Sequence, residues 1–144
     1  MKSLDTNILL YAINEDCAEH GACRAVVQTA LKESPSWIVA DQVWFELYRL
    51  LRNPSVLKQP LSPENAATSI AWYRDRSGWQ RCAWEPLMMG AAMPYLSAPA
   101  FPARRIFDLV LARTLLHNGV TEFVTRNTKN FEAFGFATLV NPLA

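Results

Sequence analysis

Three acidic residues differ from the other charged residues of the chain because each lies in an apolar segment. Asp5 follows the short apolar start of the chain, Glu46 lies within VWFELY, and Asp108 lies within IFDLVLA. A carboxylate in such surroundings is costly to desolvate unless it is paired, hydrogen-bonded or bound to a cation. If the three acids meet, Mg²⁺ or Mn²⁺ with oxygen ligands and retained waters would relieve their repulsion. Such an ion can polarise a phosphoryl oxygen and activate water to hydrolyse a phosphodiester.

Each acid also has a structural explanation. Asp5 could cap the helix that follows it. Glu46 has Arg49 three residues further on, and Asp108 has Arg104 four residues back, which are the spacings of ion pairs on a helix. For Glu46 and Asp108 taken singly the ion pair is the favoured explanation. Only the three acids together indicate a metal site.

A second polar group is the stretch TRNTKNF at 125–131, which directly follows apolar residues. Polar side chains placed just after a strand commonly face a cleft. Arg126 and Lys129 could hold the backbone of a nucleic acid there. Asn127 and Asn130, however, stand where metal or acid–base chemistry would favour carboxylates. The stretch is therefore the rim of a site, the remains of one, or a turn.

The composition indicates one globular domain, 1–144, with a single core. Apolar residues make up 51% of the chain, charged residues 19%, and the net charge is +1, which excludes a disordered chain and a strong global attraction to nucleic acid or membranes. The chain has three cysteines, two histidines and no C-x-x-C pair. This pattern argues against a disulfide framework or a zinc site and predicts reduced cysteines in the core.

The chain carries no pattern typical of a signal peptide or a membrane span. Asp5 interrupts the N-terminal segment, and the most apolar helix is broken by Asp108, Arg113 and His117. We therefore expect a soluble cytoplasmic protein with no membrane association.

Short apolar strands alternate with helices along the chain. Strands are predicted at 2–4, 37–40, 79–84, 122–125 and 137–140, and helices at 8–13, 20–33, 41–51, 62–77 and 104–118. Asp41 and Ser62 are predicted N-caps, and Gly119 is the predicted C-terminal stop of the last helix. The alternation indicates an α/β fold with a mainly parallel central sheet. In such sheets ligands bind beyond the carboxyl ends of the strands.

Residues 86–103 are uncharged and rich in proline and methionine. We predict a short helix followed by an irregular loop. The aromatic and methionine side chains of 84–101 could form an apolar surface that is covered in the assembled protein. Core packing or a homodimer contact is favoured over a groove for another protein.

Four segments resemble the PIN-domain ribonucleases of the VapC type, which are toxins of bacterial toxin–antitoxin pairs. They are LDTNILLYA (4–12), VWFELYRLL (43–51), RIFDLVLARTLLHNGV (105–120) and FVTRNTKNFEAFGFATLVNP (123–142). The resemblance spans the chain in order, although residues 54–103 match poorly. It implies a three-layer α/β/α sandwich with a mainly parallel central sheet and with acids at the strand ends.

The resemblance also implies the roles of individual residues. Asp5, Glu46 and Asp108 would be the catalytic acids and the ligands of Mg²⁺ or Mn²⁺. Thr6 and Thr125 would line the pocket with their hydroxyl groups. Replacing either aspartate by Asn is expected to abolish cleavage and to leave the fold intact.

The last segment departs from the family pattern. Asn127 occupies the position often filled by a fourth aspartate, and Asn130 the position of an acid that often precedes the next Phe. Arg126 and Lys129 would contact substrate phosphates. Because an amide oxygen carries no charge, we expect one metal ion, held more weakly than in a relative with four acids.

The expected partners are an RNA substrate, a small antitoxin protein and a second copy of the chain in a homodimer. Two alternatives remain open at this point. A PIN-like protein could bind RNA or a partner without cutting, as the two asparagines would allow. A haloacid-dehalogenase-type phosphatase is disfavoured, because it needs a second acid where Asn7 stands.

Overall fold

The computed structural model describes residues 1–144. Its strands are β1 (Lys2–Leu4), β2 (Ile38–Ala40), β3 (Gln80–Cys82), β4 (Glu122–Val124) and β5 (Thr138–Val140). Its α-helices are α1 (Thr6–Ile13), α2 (His20–Lys32), α3 (Asp41–Leu51), α4 (Pro63–Arg76), α5 (Met89–Leu96) and α6 (Ile106–His117). Short 3₁₀ turns lie at 34–36, 86–88, 103–105, 128–130 and 132–134. The predicted elements are therefore present, with their ends shifted by a few residues.

All strand pairs are parallel. β1, β4 and β5 form one ladder in the order β1-β4-β5, and β2 pairs with β3. A single parallel bridge between Lys2 and Trp37 joins the two ladders, so that the spatial order is β3-β2-β1-β4-β5. The first strand thus lies at the centre, and every strand points its carboxyl end towards the same edge. The predicted parallel sheet is confirmed.

The central strands carry the apolar side chains of the core. Leu4, Val39 and Phe123 are almost fully buried, as expected for strands covered on both faces. On the flanking layers α1 packs against α2 and α3, α3 against α4, and α5 against α6. A single cluster of 28 buried apolar residues connects these elements. The predicted three-layer α/β/α sandwich is confirmed.

The helix ends test the predicted caps. Ser62 accepts a hydrogen bond from the Asn65 backbone N–H at 3.1 Å, as predicted for the start of α4. Gly119 has φ +81°, which suits a residue ending a helix in the left-handed region. The prediction for Asp41 is wrong, because Ala40 is the N-cap of α3 and caps nothing with its side chain. Asp41 instead accepts two hydrogen bonds from Arg74, at 2.9 and 3.0 Å, which tie α3 to α4.

The uncharged segment 86–103 contributes to the core on one side only. Met88 and Ala92 are buried, whereas Leu87 and Met93 are 63% and 50% exposed. The prediction of a short helix followed by a loop is confirmed.

All three cysteines are free. None of the helices is both long enough and apolar enough to cross a membrane.

Candidate active site

Strand pairing brings distant parts of the chain together at the carboxyl edge of the sheet. Asp5 is the first residue after β1, and Thr125 is the first after β4. The backbone N–H of Asp5 donates to the carbonyl oxygen of Val124 at 2.9 Å, which continues the ladder one step beyond the strands. The edge where parallel strands place ligands therefore carries the sequence-predicted residues of both strand ends.

Asp5 is a buried carboxylate held by several donors. Its side chain is nearly covered, since the residue is 8% exposed. The Thr125 hydroxyl donates to Oδ2 at 2.7 Å and the Thr6 backbone N–H donates to Oδ1 at 2.8 Å. The Asn7 amide lies 3.4 Å from Oδ2. Asp5 is thus the N-cap of α1, as the structural alternative predicted, and it still faces the cavity described below.

The ion pairs predicted for the other two acids are not those in the structure. Glu46 forms no salt bridge, so the predicted pair with Arg49 is wrong; its Oε2 instead accepts a hydrogen bond from the Thr6 hydroxyl at 3.1 Å. Asp108 lies 3.9 Å from Arg105, not from Arg104. That separation exceeds hydrogen-bond range. Asp108 thus has one long ion pair, whereas Glu46 has none.

One open cavity of about 600 Å³ collects the candidate residues. It is lined by Asp5, Asn7, Gln42, Phe45, Glu46, Arg49, Leu50, Phe107, Asp108, Leu111 and Asn127. The structure therefore brings the three acids and Asn127 to the same cavity, although they are up to 122 positions apart in the sequence. Their roles there remain predictions.

The electrostatics of the cavity reflect burial and crowding of like charge. Burial, together with repulsion from Glu46 and Asp108, raises the pKa of Asp5 to about 6, against the lowering effect of the hydrogen bonds from Thr125 and Thr6. Burial also raises the pKa of Asp108; Arg105 opposes the shift and Glu46 adds to it. The cavity thus favours a carboxyl group that is protonated or bound to a cation over a free carboxylate.

The donor chemistry of the cavity fits a hard divalent cation. Three carboxylates and the Asn127 amide offer the oxygen ligands that Mg²⁺ and Mn²⁺ prefer. No group of three or more His, Cys, Asp or Glu side chains forms a ready-made metal-binding set, however. Any ion would therefore complete its coordination with waters, as Mg²⁺ commonly does.

Two predicted supporting residues lie elsewhere than expected. Thr6 and Thr125 do not line the cavity, since they are 1% and 0% exposed. The Thr6 hydroxyl donates to Glu46 and the Thr125 hydroxyl donates to Asp5, both from the buried side of the acids. Thr6 serves both acids, because its backbone N–H binds Asp5 and its hydroxyl binds Glu46. These threonines fix carboxylates and do not face a ligand.

The two predicted substrate-binding cations also lie outside the acidic cavity. Arg126 and Lys129 line a neighbouring polar cleft of about 320 Å³ together with Asn127, Thr128, Asn130 and Asn141. Asn127 is common to both openings. The Arg126 guanidinium donates to the Tyr11 hydroxyl and lies 3.5 Å from Glu19, so its charge is already engaged. Lys129 forms no salt bridge.

The cavity also contains residues that the sequence reasoning did not predict. Phe45 and Phe107 line it and are 77% and 72% exposed. The Gln42 side chain donates to the Phe107 carbonyl oxygen at 2.9 Å and so links α3 to α6. The sequence contains one indication of their position, since each Phe directly precedes one of the candidate acids, in Phe45-Glu46 and Phe107-Asp108. The sequence does not distinguish such a ring from a core residue.

No protein-family model matches the chain. The chain is 42% identical over 144 residues to Ribonuclease VapC24 of Mycobacterium tuberculosis, found in strains CDC 1551 / Oshkosh and ATCC 25618 / H37Rv, with 99% of this chain and 97% of the relative covered. The crystal structure of M. tuberculosis VapC20, described as a sarcin-ricin loop cleaving toxin, matches with a TM-score of 0.64. That match covers 85% of this chain and 87% of the other at 15% identity, and it shows the fold.

The match to this relative covers 99% of the chain at 42% identity. A haloacid-dehalogenase-type phosphatase is thereby excluded as the class of protein. The resemblance carried by the four sequence segments agrees with both comparisons. The chain therefore belongs to the VapC family of PIN-domain ribonuclease toxins.

Proposed function

We propose that this protein is a Mg²⁺- or Mn²⁺-dependent endoribonuclease that hydrolyses RNA phosphodiester bonds through Asp5, Glu46 and Asp108. The observation that carries the proposal is the meeting of three carboxylates in one cavity, of which only Asp108 has an ion pair, a long one of 3.9 Å to Arg105. When bound, a divalent cation would neutralise charge on the phosphodiester and activate water for in-line attack. The family membership of the chain supports the same reaction.

Hydrogen bonds from buried threonines orient two of the three carboxylates. Thr125 and Thr6 fix the two oxygens of Asp5 at 2.7 and 2.8 Å, and the Thr6 hydroxyl fixes Glu46 at 3.1 Å. Because these donors are buried, the carboxylates are oriented before any ligand arrives. Asp108 is held less firmly, by Arg105 at 3.9 Å.

Asn127 would be a neutral contributor to the site. Its backbone N–H donates to the Thr125 hydroxyl oxygen at 3.1 Å, and Thr125 donates in turn to Asp5. Its side chain faces the cavity without adding a charge. This arrangement supports one cation instead of two.

The polar cleft next to Asn127 would continue the path of the RNA backbone. Lys129, which forms no salt bridge, is the better candidate for a phosphate contact there. Arg126 shares its charge with Glu19 and would contribute less. A local basic surface of this kind suits a protein whose net charge is only +1.

The proposed partners follow from the same family. A small antitoxin would silence the enzyme by placing a chain segment near the acids, and the protein would act in the cytoplasm on cellular RNA. The exposed side chains Leu87, Met89 and Met93 would be covered in a homodimer. Sedimentation equilibrium of the purified chain would contradict the dimer if it gave the monomer mass.

The proposed activity is tested with purified protein and a labelled RNA oligonucleotide. The wild type should cleave with Mn²⁺ or Mg²⁺ and stop when EDTA is added. Asp5→Asn and Asp108→Asn should each reduce the rate by a factor on the order of a thousand, with an unchanged circular dichroism spectrum. Glu132→Gln, which removes an acid outside the cavity, is the matched control and should cleave normally. Full activity in either aspartate variant would contradict the assignment.

A second candidate function is RNA binding without cleavage. The two neutral residues Asn127 and Asn130 and the absence of a ready-made metal-binding set favour it. Wild-type protein that binds the oligonucleotide but never cuts it, with either cation, would establish this alternative.

A further inference from the structure

The acidic cavity is flanked by the two most exposed large apolar side chains of the molecule. Phe45 is 77% exposed and Phe107 72%. The other aromatic residues are buried or half-buried, except Trp72, which is 47% exposed and packs its ring against Tyr73. Phe45 and Phe107 take part in no such pair. Two unpaired rings at the rim of one polar cavity indicate contact with a ligand, because exposed aromatic surface does not stabilise the fold.

The two rings are held on rigid elements. Phe45 lies in the second turn of α3, and Phe107 lies at the start of α6. The hydrogen bond from Gln42 to the Phe107 carbonyl oxygen, at 2.9 Å, connects these helices beside the cavity. The backbone positions of both rings are therefore fixed relative to the acids that follow them in sequence, Glu46 and Asp108.

The surroundings of the rings favour an RNA base over a protein side chain. The cavity combines the rings with carboxylates and with Arg49, and it joins the polar cleft of Lys129 through Asn127. Aromatic faces beside a groove for the backbone are the recurring means of binding single-stranded nucleic acid, since every base has a face that can stack.

We propose that Phe45 and Phe107 form a stacking platform for unpaired bases next to the phosphate that is cut. The inference rests on the proposed ribonuclease function and assigns to it two side chains that contact the bases of the substrate. Bases inside a duplex are stacked on each other and do not reach the rings. The two rings therefore contribute to binding only where bases are unpaired, and they add nothing to the binding of a regular duplex.

The test measures binding in EDTA, where no metal-dependent cleavage occurs. Fluorescence anisotropy with a labelled single-stranded RNA gives Kd for Phe45→Leu and Phe107→Leu, which keep apolar bulk but lose the aromatic face. Each should weaken binding by about fivefold to a hundredfold, whereas Phe45→Trp and Phe107→Trp should bind as well as wild type. Trp72→Leu removes the aromatic face of an exposed ring outside the cavity and should leave Kd unchanged.

A coupling experiment separates stacking from loss of surface. An RNA with one abasic position, moved along the strand, should bind wild type more weakly at one or two positions. At those positions the Leu variants should show no further loss, because the stacking partner is already absent. A duplex of the same sequence should bind all variants equally weakly.

Three results would overturn the platform. They are equal Kd values for wild type and both Leu variants, tight binding of the duplex, and failure of the wild type to bind RNA. Leu variants that bind RNA normally but change the sedimentation mass would assign the rings to a protein contact instead. A wild type that binds with the predicted coupling but never cleaves with Mn²⁺ would contradict the ribonuclease activity and leave the platform standing.

Discussion

The acidic cavity and the loop at 125–131 both lie just beyond the carboxyl ends of the central strands. They differ in whether their charged groups have a partner of opposite charge. In the cavity, Asp5 and Glu46 have no close cation, and their hydrogen bonds come from buried neutral donors. On the loop, the charge of Arg126 is engaged by Tyr11 and Glu19. The cavity thus holds two carboxylates without a cationic partner, whereas the loop holds one paired cation, Arg126, and one unpaired cation, Lys129.

This difference shows that position at the sheet edge does not decide a role. What decides it is whether the fold leaves a charge without a partner, because only an unpaired group has binding free energy left for a ligand. By this criterion the acids rank above Lys129, and Lys129 ranks above Arg126. The following predictions test that ranking.

The largest expected effect is on the stability of the metal-free protein. The Asp5 pKa lies at about 6 in the folded chain and at 3.8 ordinarily, so the folded state binds this proton more tightly. The contribution of the proton to stability is complete below about pH 4 and is lost as pH rises through 6. Asp5→Asn should therefore raise the free energy of unfolding at pH 8 by up to about 3 kcal/mol.

Urea denaturation in EDTA at pH 8 and at pH 4 measures this effect. The gain from Asp5→Asn should be large at pH 8 and small at pH 4, where the wild-type carboxyl is protonated. Glu132→Gln, the matched control, should change neither value appreciably. A variant that is less stable than wild type at pH 8 would show that Asp5 is not an unbalanced charge.

The next effect concerns the neutral residue shared by the two regions. Asn127→Asp adds a fourth carboxylate to the cavity and should tighten Mn²⁺ binding by about tenfold, because affinity rises with the charge of the ligand set. Isothermal calorimetry gives both affinities. Asn130→Asp adds the same charge to the polar cleft only and should bind Mn²⁺ like wild type. Equal affinities for Asn127→Asp and wild type would contradict the prediction.

The smallest effect separates the two loop cations. Lys129→Ala should weaken binding of single-stranded RNA a few-fold and lower the salt slope of log K by about 0.7, the value for one lost phosphate contact. Arg126→Ala should change the slope less, because Glu19 already shares its charge. Anisotropy titrations at several salt concentrations decide the order. A larger decrease of the salt slope for Arg126→Ala than for Lys129→Ala would reverse the ranking of the two cations.

Much of the fold is predictable from local pattern. Short apolar strands alternating with amphipathic helices predict the parallel sheet, and Ser62 with Pro63 predicts the start of α4. Asp41 shows the limit of such inference: its type suits an N-cap, but Arg74, 33 positions further along the chain, takes its carboxylate. A capping preference of about 1 kcal/mol is small enough to be outweighed by one bidentate ion pair.

The candidate site shows the same limit. The apolar context of Glu46 and Asp108 marks them as unusual, and the order of the four segments places them in one family. Their partners could not be predicted, because hydrogen bonds such as Thr125 to Asp5 join residues 120 positions apart. The exposure of Phe45 could not be predicted either, since an aromatic residue within an apolar helix is usually buried.

The sequence by itself therefore predicted the elements, from residue type and spacing within single segments. It also carried the resemblance to the family and marked the three acids as candidates. Tertiary structure alone decided that the acids face one cavity, that Thr6 and Thr125 support them from behind, and that two phenylalanines remain exposed beside them. The physical reason is that burial and charge balance are properties of packed surfaces. They are set by strands and helices that meet only when the whole chain is folded.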